Sequence, residues 1–225
     1  SKACPFSKSG SGIAVNVFCK VMQEFYTGYK DDLELLLTYL NREGDTKVAQ
    51  AVDEEWKRRV LIAHTKNKRD VPHTSDGEKD KAEIYKEYGT TLVGLMITPI
   101  FLFAFQIGDG DITYVDDTSV EEVLAADKIL GTETHSLSKA DAWKKAITVV
   151  RRRTVDEKTP ALFMLSTDGF ANSYKNGDEF KKTCTDYFEM IQQPGCEVVG
   201  ANLKSWLCET SEQGCGDDIT LLMCY

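Results

Sequence analysis

The chain has 225 residues and a formal net charge of −9 at pH 7, so nucleic acid is a poor first candidate for a partner. Hydrophobic residues make up 42% and charged residues 28% of the sequence, as in ordinary soluble globular proteins. No apolar run reaches the roughly 18 residues that a membrane helix needs, and no membrane partner is expected.

The length predicts one domain over residues 1–225. The seven cysteines include no Cys-x-x-Cys pair, which argues against zinc and favours reduced thiols in the cytoplasm. Cys19 and Cys224 stand in apolar sequence and are expected to pack as small hydrophobes.

The first third of the chain predicts three helices. Apolar residues recur at helical spacing from Gly12 to Tyr29, and a second helix opens at Asp31 and ends at Gly44. Asp45 or Thr46 is then expected to cap a third helix. The following segment, 65–86, is rich in charged residues, Gly and Pro, and is predicted to be an exposed loop or flap.

The middle of the chain changes its periodicity. Thr91–Ile97 and Ile100–Ile107 are apolar on both faces, and a third strand, Ile112–Val115, follows a Gly- and Asp-rich turn. These three strands predict an antiparallel meander that is buried on both sides.

Helices are then expected to return. Ser138 and Asp141 resemble a capping box that opens a helix with Trp143, Ile147 and Val150 on its inner face. The run 151–153 contains three arginines, which suit the last turn of that helix; contact with phosphate or with a peptide is the alternative.

The last third of the chain alternates strands and helices. A strand ends at Asp168, a helix begins at Asp178, another helix lies around Val198–Leu207, and a strand covers Ile219–Tyr225. The whole succession predicts an α+β fold with helices packed against a buried antiparallel sheet system.

Two aspartates at strand ends are the best candidates for chemistry. Asp168 follows an apolar strand and precedes Gly169, and Asp217 stands directly before the last strand. Such carboxylates lie on rigid elements, and two of them side by side can bind a hard divalent cation. Each pattern alone also suits a plain turn, as does Asp109 in its Gly-Asp-Gly-Asp stretch. An EF-hand at Asp109 is excluded because Tyr114 occupies the required glycine position.

The order of the motifs resembles the PPM family of metal-dependent protein phosphatases, also called protein phosphatase 2C. The matching stretches run in this order: Gly89-Thr90-Thr91-Leu92, Ile107-Gly108-Asp109, Ser166-Thr167-Asp168-Gly169-Phe170 and Asp217-Asp218-Ile219-Thr220. The stretch Leu130–Leu137 is closer to the bacterial branch. The resemblance implies a β-sandwich of two antiparallel sheets flanked by helices.

The resemblance also implies a dinuclear Mg²⁺ or Mn²⁺ centre, at which metal-activated water attacks phosphoserine or phosphothreonine. By the matching motifs, Asp168 and Asp217 would be direct ligands, and Asp109 would lie near an additional, weaker metal. Two departures concern the neighbours of these ligands: Asp218 replaces the usual Asn, and Asn172 stands where many members have a further Asp.

The larger departure is at the front. Family members carry a phosphate-binding Arg and an Asp-Gly-His-Gly motif whose Asp bridges both metals, and this sequence contains no such motif. The residues from Ser1 onward resemble those that follow it, so we expect a truncated or proteolysed fragment that lacks the first strands, binds metal weakly and turns over negligibly. No catalytic residue is assigned, since His64, His73 and His135 are expected at the surface or at caps.

The resulting hypothesis is a cytoplasmic Ser/Thr phosphatase that acts on a phosphorylated protein and opposes a cognate kinase. The alternative is a catalytically silent phosphatase-like module that binds a phosphoprotein or a regulatory partner. A third possibility is an α+β scaffold whose strand-end aspartates only form turns.

Overall fold

A computed structural model of the chain describes residues 4–73, 75–77, 80–125, 135–153 and 160–225. The chain divides into two compact units: the first comprises Ser1–Gly108 and Leu130–Arg153, and the second comprises Asp109–Ile129 and Thr154–Tyr225. No helix among the described residues is long and apolar enough to cross a membrane. The prediction of a single domain over 1–225 stays a prediction.

The described residues form seven helices and seven strands. The helices are α1 Ser7–Tyr29, α2 Leu33–Glu43, α3 Ala49–Lys66, α4 Lys81–Glu87, α5 Asp168–Asn172, α6 Gly177–Gln192 and α7 Cys196–Gln213. The strands are β1 Leu92–Ile97, β2 Phe101–Ile107, β3 Asp111–Val115, β4 Val120–Leu124, β5 Ile147–Arg152, β6 Leu162–Ser166 and β7 Leu221–Cys224. Both sheets are antiparallel, so the prediction of an α+β fold is confirmed.

The helices predicted at the start of the first unit are present, but the connection between α2 and α3 differs from the prediction. The Asp32 side chain caps α2 by accepting from the Leu35 N–H at 2.9 Å. Gly44 does not end the helical path, because a π-helical turn, Gly44–Val48, joins α2 to α3. A Cβ at Gly44 would lie 2.9 Å from the Phe103 ring, so this glycine permits close packing instead of a stop.

The segment 65–86 is predicted as a loop or flap, but both of its ends are helical. Helix α3 continues to Lys66, and α4 begins at Lys81 behind an Asp80 cap whose side chain accepts from the Glu83 N–H. Ile84 is buried in the core of the first unit and Tyr85 packs against that core, and these contacts hold a helix in a polar sequence. Residues 74, 78 and 79 of this segment lie outside the described residues.

The first sheet has the strand order β1-β2-β5. Every residue of the central strand β2 is buried. It packs in a core with α1 and α3, where Phe18 of α1 approaches Phe105 of β2 at 5.5 Å between ring centroids. The expected burial of this strand on both faces is therefore confirmed.

The helix predicted after Ser138 is wrong. Asp141 has a left-handed backbone with φ of 53°, a 3-10 turn covers Ala142–Lys145, and Ile147 begins β5. The β-branched run from Ile147 to Val150 favours a strand, and β2 provides its partner, with Phe103 opposite Val150. The arginines of 151–153 thus end a strand: Arg152 forms a two-armed ion pair with Glu34 at 2.6 Å.

The predicted meander is also wrong, since β3 does not pair with β2. Strand β3 belongs to a second sheet of order β4-β3-β6-β7. The chain leaves the first sheet at Gly108, whose φ of 119° is a conformation that glycine adopts readily. Strand β4 was not expected from its sequence, and it pairs with β3 along one edge.

Several small expectations also fail. His64 is a helix residue of α3 and is 1% exposed, while His73 and His135 lie at the surface as expected. Cys19 and Cys224 are exposed, whereas Cys184 is the buried cysteine. Within the stretch that resembles the bacterial branch, residues 130–134 lie outside the described residues.

Candidate functional site

Asp168 is placed by the end of a buried strand. All five residues of β6 are buried, and Thr167 continues the extended backbone before Asp168 opens the short helix α5. The Asp168 Oδ1 accepts from the Gly169 N–H at 2.9 Å. Because β6 is rigid and the carboxylate is tied to the backbone, the position of Asp168 is well defined.

Asp217 lies in the loop that joins α7 to β7. Gly216 has a φ of 78°, a turn conformation that glycine adopts readily, and the Ser211 hydroxyl donates to the Asp217 carbonyl oxygen at 2.6 Å. The start of β7 is fastened to the end of β6, since the Thr167 N–H donates to the Thr220 carbonyl oxygen at 3.0 Å. The Thr220 N–H in turn donates to Thr167 Oγ1 at 2.9 Å.

Gly169 lies where the loop that carries Asp217 comes close to the start of α5. A Cβ at this glycine would lie 2.9 Å from the Asp218 carbonyl oxygen and 3.2 Å from the Asp217 Cβ. Any side chain here would therefore push the Asp217 loop away from Asp168. The Asp-Gly pair at the end of β6 serves close approach as well as turning.

The electrostatics of Asp168 show that negative charge converges here. Burial raises the pKa of its carboxyl above the ordinary value, and the negative charge of Asp109 raises it further. The Gly169 N–H opposes this rise, and the Asp217 carboxylate adds to it. A cation beside Asp168 would relieve the repulsion that these three carboxylates impose on one another.

Not every predicted site residue is brought into one cluster. Asp217, Asp218 and Asn172 are exposed, and Asn172 lies at the end of α5. Among the described residues, no three His, Cys, Asp or Glu side chains are arranged to hold a metal ion. Carboxylate oxygens suit a hard cation such as Mg²⁺ or Mn²⁺, but the described carboxylates do not form a ready cage for one.

Two further residues of this region were missed from the sequence. Asp111 is only 3% exposed and stands opposite Ser166 in the β3–β6 ladder. Its signal was the Asp-Gly-Asp spacing to Asp109, which suggested only a hairpin turn. Cys215 lies two residues before Asp217, with its Sγ 3.3 Å from the Ser173 hydroxyl oxygen and 3.4 Å from the Gly169 carbonyl oxygen. No sequence motif indicated it.

Three solved structures illustrate what the chain is similar to. PppA, described as a key regulatory component of the T6SS in Pseudomonas aeruginosa, is 14% identical, with 93% of this chain and 77% of that chain covered and a TM-score of 0.47. The Mycobacterium tuberculosis serine/threonine phosphatase PstP/Ppp is 13% identical, with coverage of 93% and 81% and a TM-score of 0.49. The PstP catalytic domain in complex with two manganese ions is 13% identical, with coverage of 92% and 80% and a TM-score of 0.48.

The family of the chain is shown by its sequence. No curated protein matches the chain at a significant level. The family profile described as protein phosphatase 2C, however, matches residues 1–208, which is nearly the whole chain. The chain therefore belongs to the protein phosphatase 2C family.

Proposed function

We propose that this protein is a metal-dependent phosphatase of phosphoserine and phosphothreonine in proteins. Membership of the protein phosphatase 2C family supports the reaction class. The observation that carries the site is the convergence of negative charge on Asp168, whose carboxyl has a pKa raised by burial, by Asp109 and by Asp217. A site that destabilises its own carboxylates without a cation is suited to bind one.

Asp168 and Asp217 are the proposed direct ligands, and Asp109 the proposed ligand of a further, weaker ion. A divalent cation, Mn²⁺ or Mg²⁺, would supply charge neutralisation for the phosphoryl group and a water of lowered pKa. The chain's own contribution is to position the ligands. Strand β6 holds Asp168, and the hydrogen bonds between Thr167 and Thr220 hold the Asp217 loop beside it. Gly169 has no side chain and lets the two come close.

The centre formed by these residues is proposed to be incomplete. The sequence printed here contains no Asp-Gly-His-Gly motif, and the described residues hold no ready three-ligand set. We therefore expect this chain to bind Mn²⁺ weakly and to hydrolyse phosphopeptides negligibly. The partners we propose are a phosphorylated protein substrate and the kinase that phosphorylates it, and the seven free thiols favour the cytoplasm.

The alternative function is a catalytically silent module that binds a phosphoprotein or a regulatory partner. It is favoured by Asn172, which stands where many family members have an acidic residue, and by the exposed, unassembled state of Asp217. An uncharged amide at position 172 weakens any second cation site.

One assay separates the two functions. The full-length gene product, not the 225-residue chain alone, is incubated with a phosphothreonine peptide and Mn²⁺, beside its Asp168→Asn and Asp217→Asn variants. Asp178→Asn is the matched control, since Asp178 is an exposed aspartate in the first turn of α6. We expect both site variants to lose activity and the control to keep it. An inactive full-length protein at every Mn²⁺ concentration would leave only the silent module, and full activity in both site variants would overturn the ligand assignment.

A further inference from the structure

A small cavity between α6 and α7 has aromatic and acidic walls. Its volume is about 240 Å³, and its walls include Tyr187 and Trp206. The two rings lie 6.0 Å apart between centroids at an interplanar angle of 57°, so that they form two sides of a corner. Among the described residues, no Lys or Arg lines this cavity.

The acidic part of the wall comes from Asp186 of α6 and Glu209 of α7. The Asp186 carboxylate forms no hydrogen bond or ion pair with another described residue. Glu209 accepts from Gln213 through one carboxylate oxygen only, at 2.9 Å. Both carboxylates are exposed and thus accessible to a partner from outside.

Tyr187 gives an independent sign of a missing partner. This residue is 4% exposed, it lines the cavity, and its hydroxyl forms no hydrogen bond with another described residue. The hydroxyl oxygen itself is not a fully buried atom, so it is open to the cavity and available to a partner. Burial also raises the pKa of Tyr187 to about 12, so the hydroxyl stays neutral and can accept a hydrogen bond from a cationic donor.

A second cavity of about 450 Å³ continues the same surface. It shares Asp186 and Met190 with the first cavity. Its further lining includes another acidic residue, Glu189, and no Lys or Arg from the part of the chain that the structure describes. The groove formed by the two cavities is therefore acidic along its length, with the aromatic corner at one end. Its charge matches a basic segment of polypeptide and opposes an acidic one.

We propose that the aromatic corner of Tyr187 and Trp206 binds a basic side chain, Lys or Arg, of a partner protein whose neighbouring residues follow the acidic groove. The partly exposed ring of Trp206 attracts the cation, and the Tyr187 hydroxyl accepts a hydrogen bond from it. The carboxylates of Asp186 and Glu209 pair with it. This site is separate from the proposed metal ligands, and the proposal does not depend on phosphatase activity.

The test uses the whole chain without metal and a short probe peptide, acetyl-Gly-Ala-Lys-Ala-Lys-Gly-amide. A second peptide with norleucine in place of both lysines keeps the apolar stem and removes the charge. The indole N–H signal of Trp206 in NMR reports binding. Trp56 is the internal reference, because its indole N–H is buried and donates to the Gly10 carbonyl oxygen at 3.0 Å. We expect a saturable shift of Trp206 with the lysine peptide alone and no shift of Trp56.

Substitutions then assign the site. Asp186→Asn and Glu209→Gln are expected to weaken the lysine peptide about threefold each. Trp206→Leu should weaken it about fivefold in calorimetry without changing the charge. Glu197→Gln is the matched control, since it removes one exposed charge from the same helix outside the cavity.

Three results would overturn the proposal. Equal binding of the norleucine peptide would show an apolar groove, and equal weakening by Glu197→Gln would show unspecific attraction to an acidic protein. A Trp206 signal that does not move at saturation would place the peptide elsewhere. Because Asp186 and Glu209 are surface residues, their variants keep the test valid even if Trp206→Leu perturbs folding.

Discussion

Strands β2 and β7 are both apolar in sequence, yet they have opposite surroundings. Strand β2 lies between β1 and β5, and all its residues are buried. Strand β7 ends the order of the second sheet, and none of its residues is fully buried; Leu222 is 59% exposed. Apolar composition therefore favours strand formation in both segments, whereas position in the sheet decides how much each strand contributes to stability.

The two units also differ in burial: the first contains a fully buried core, and the second contains the proposed metal ligands in exposed or half-buried positions. The first unit contains a core in which Trp56, Tyr88 and Phe103 are completely buried. In the second unit the Asp217 loop and β7 are exposed, and charge converges on Asp168 beside them. The part of the chain with the proposed metal ligands is thus less constrained by burial, as is common for sites that must accept a ligand.

The largest expected effect tests the contrast of the two strands directly. Phe103→Ala empties a site that is 0% exposed in β2, so the free energy of unfolding should fall by about 3 to 5 kcal/mol. Leu222→Ala on exposed β7 should change it by less than about 0.5 kcal/mol. Urea denaturation of both variants measures the difference. Similar losses in the two variants would mean that β7 is covered in solution.

An intermediate effect concerns charge in the second unit. The raised pKa of Asp168 means that its ionised form destabilises the metal-free fold above that pKa, while the protonated form does not. Asp168→Asn without metal should therefore raise the thermal midpoint at pH 7 by about 1 to 3 °C. The gain should vanish at about pH 3 and below, where the carboxyl is protonated in both the folded and the unfolded chain.

Asp116 is a control, because the pKa of its carboxyl is shifted in the opposite direction to that of Asp168. Burial raises the pKa of its carboxyl, but the hydrogen bonds from Thr118 and Ser119 outweigh burial and lower it overall. Its carboxylate therefore stabilises the fold above the ordinary pKa, and this contribution is lost as pH falls through the lowered value. Asp116→Asn should lower the thermal midpoint at pH 7. A shift of the same sign in both variants would contradict the local electrostatics.

The smallest effect is expected in the first unit, at the ion pair of Arg152 and Glu34. Both side chains are more than half exposed, at 57% and 58%, so water and salt screen their attraction. Arg152→Gln should shift the thermal midpoint by less than about 2 °C, and the shift should disappear in 1 M NaCl. Calorimetry at two salt concentrations measures it. A large shift that resists salt would show that this arginine belongs to the packed core.

The sequence predicted elements better than their pairing. The apolar runs of β2 and β6 were found because continuous burial leaves a continuous apolar pattern. Strand β5 was mistaken for a helix because Trp143, Ile147 and Val150 fit a helical spacing, although the β-branched residues between them favour a strand. Strand β4 was missed since its sequence, Val-Glu-Glu-Val-Leu, is polar at its centre and depends on β3 for pairing.

The candidate site was predictable only in part. Asp168 and Asp217 were recognisable from their strand ends and from the order of the motifs. The contact of Gly169 with the Asp217 loop and the burial of Asp111 depend on which strands become neighbours, which a local pattern does not encode. The aromatic corner was invisible for the same reason: Tyr187 and Trp206 belong to different helices, and each alone looks like a core residue.

Titration of the chain with Mn²⁺ shows whether Asp168 and Asp217 together hold a divalent cation. Electron paramagnetic resonance of free Mn²⁺ gives the affinity of the chain, of Asp168→Asn and of Asp217→Asn, with Asp178→Asn as the control. We predict weak binding that falls at least about tenfold in both site variants and is unchanged in the control. Equal affinity in all four proteins, or tight binding of two ions by the chain, would contradict this account.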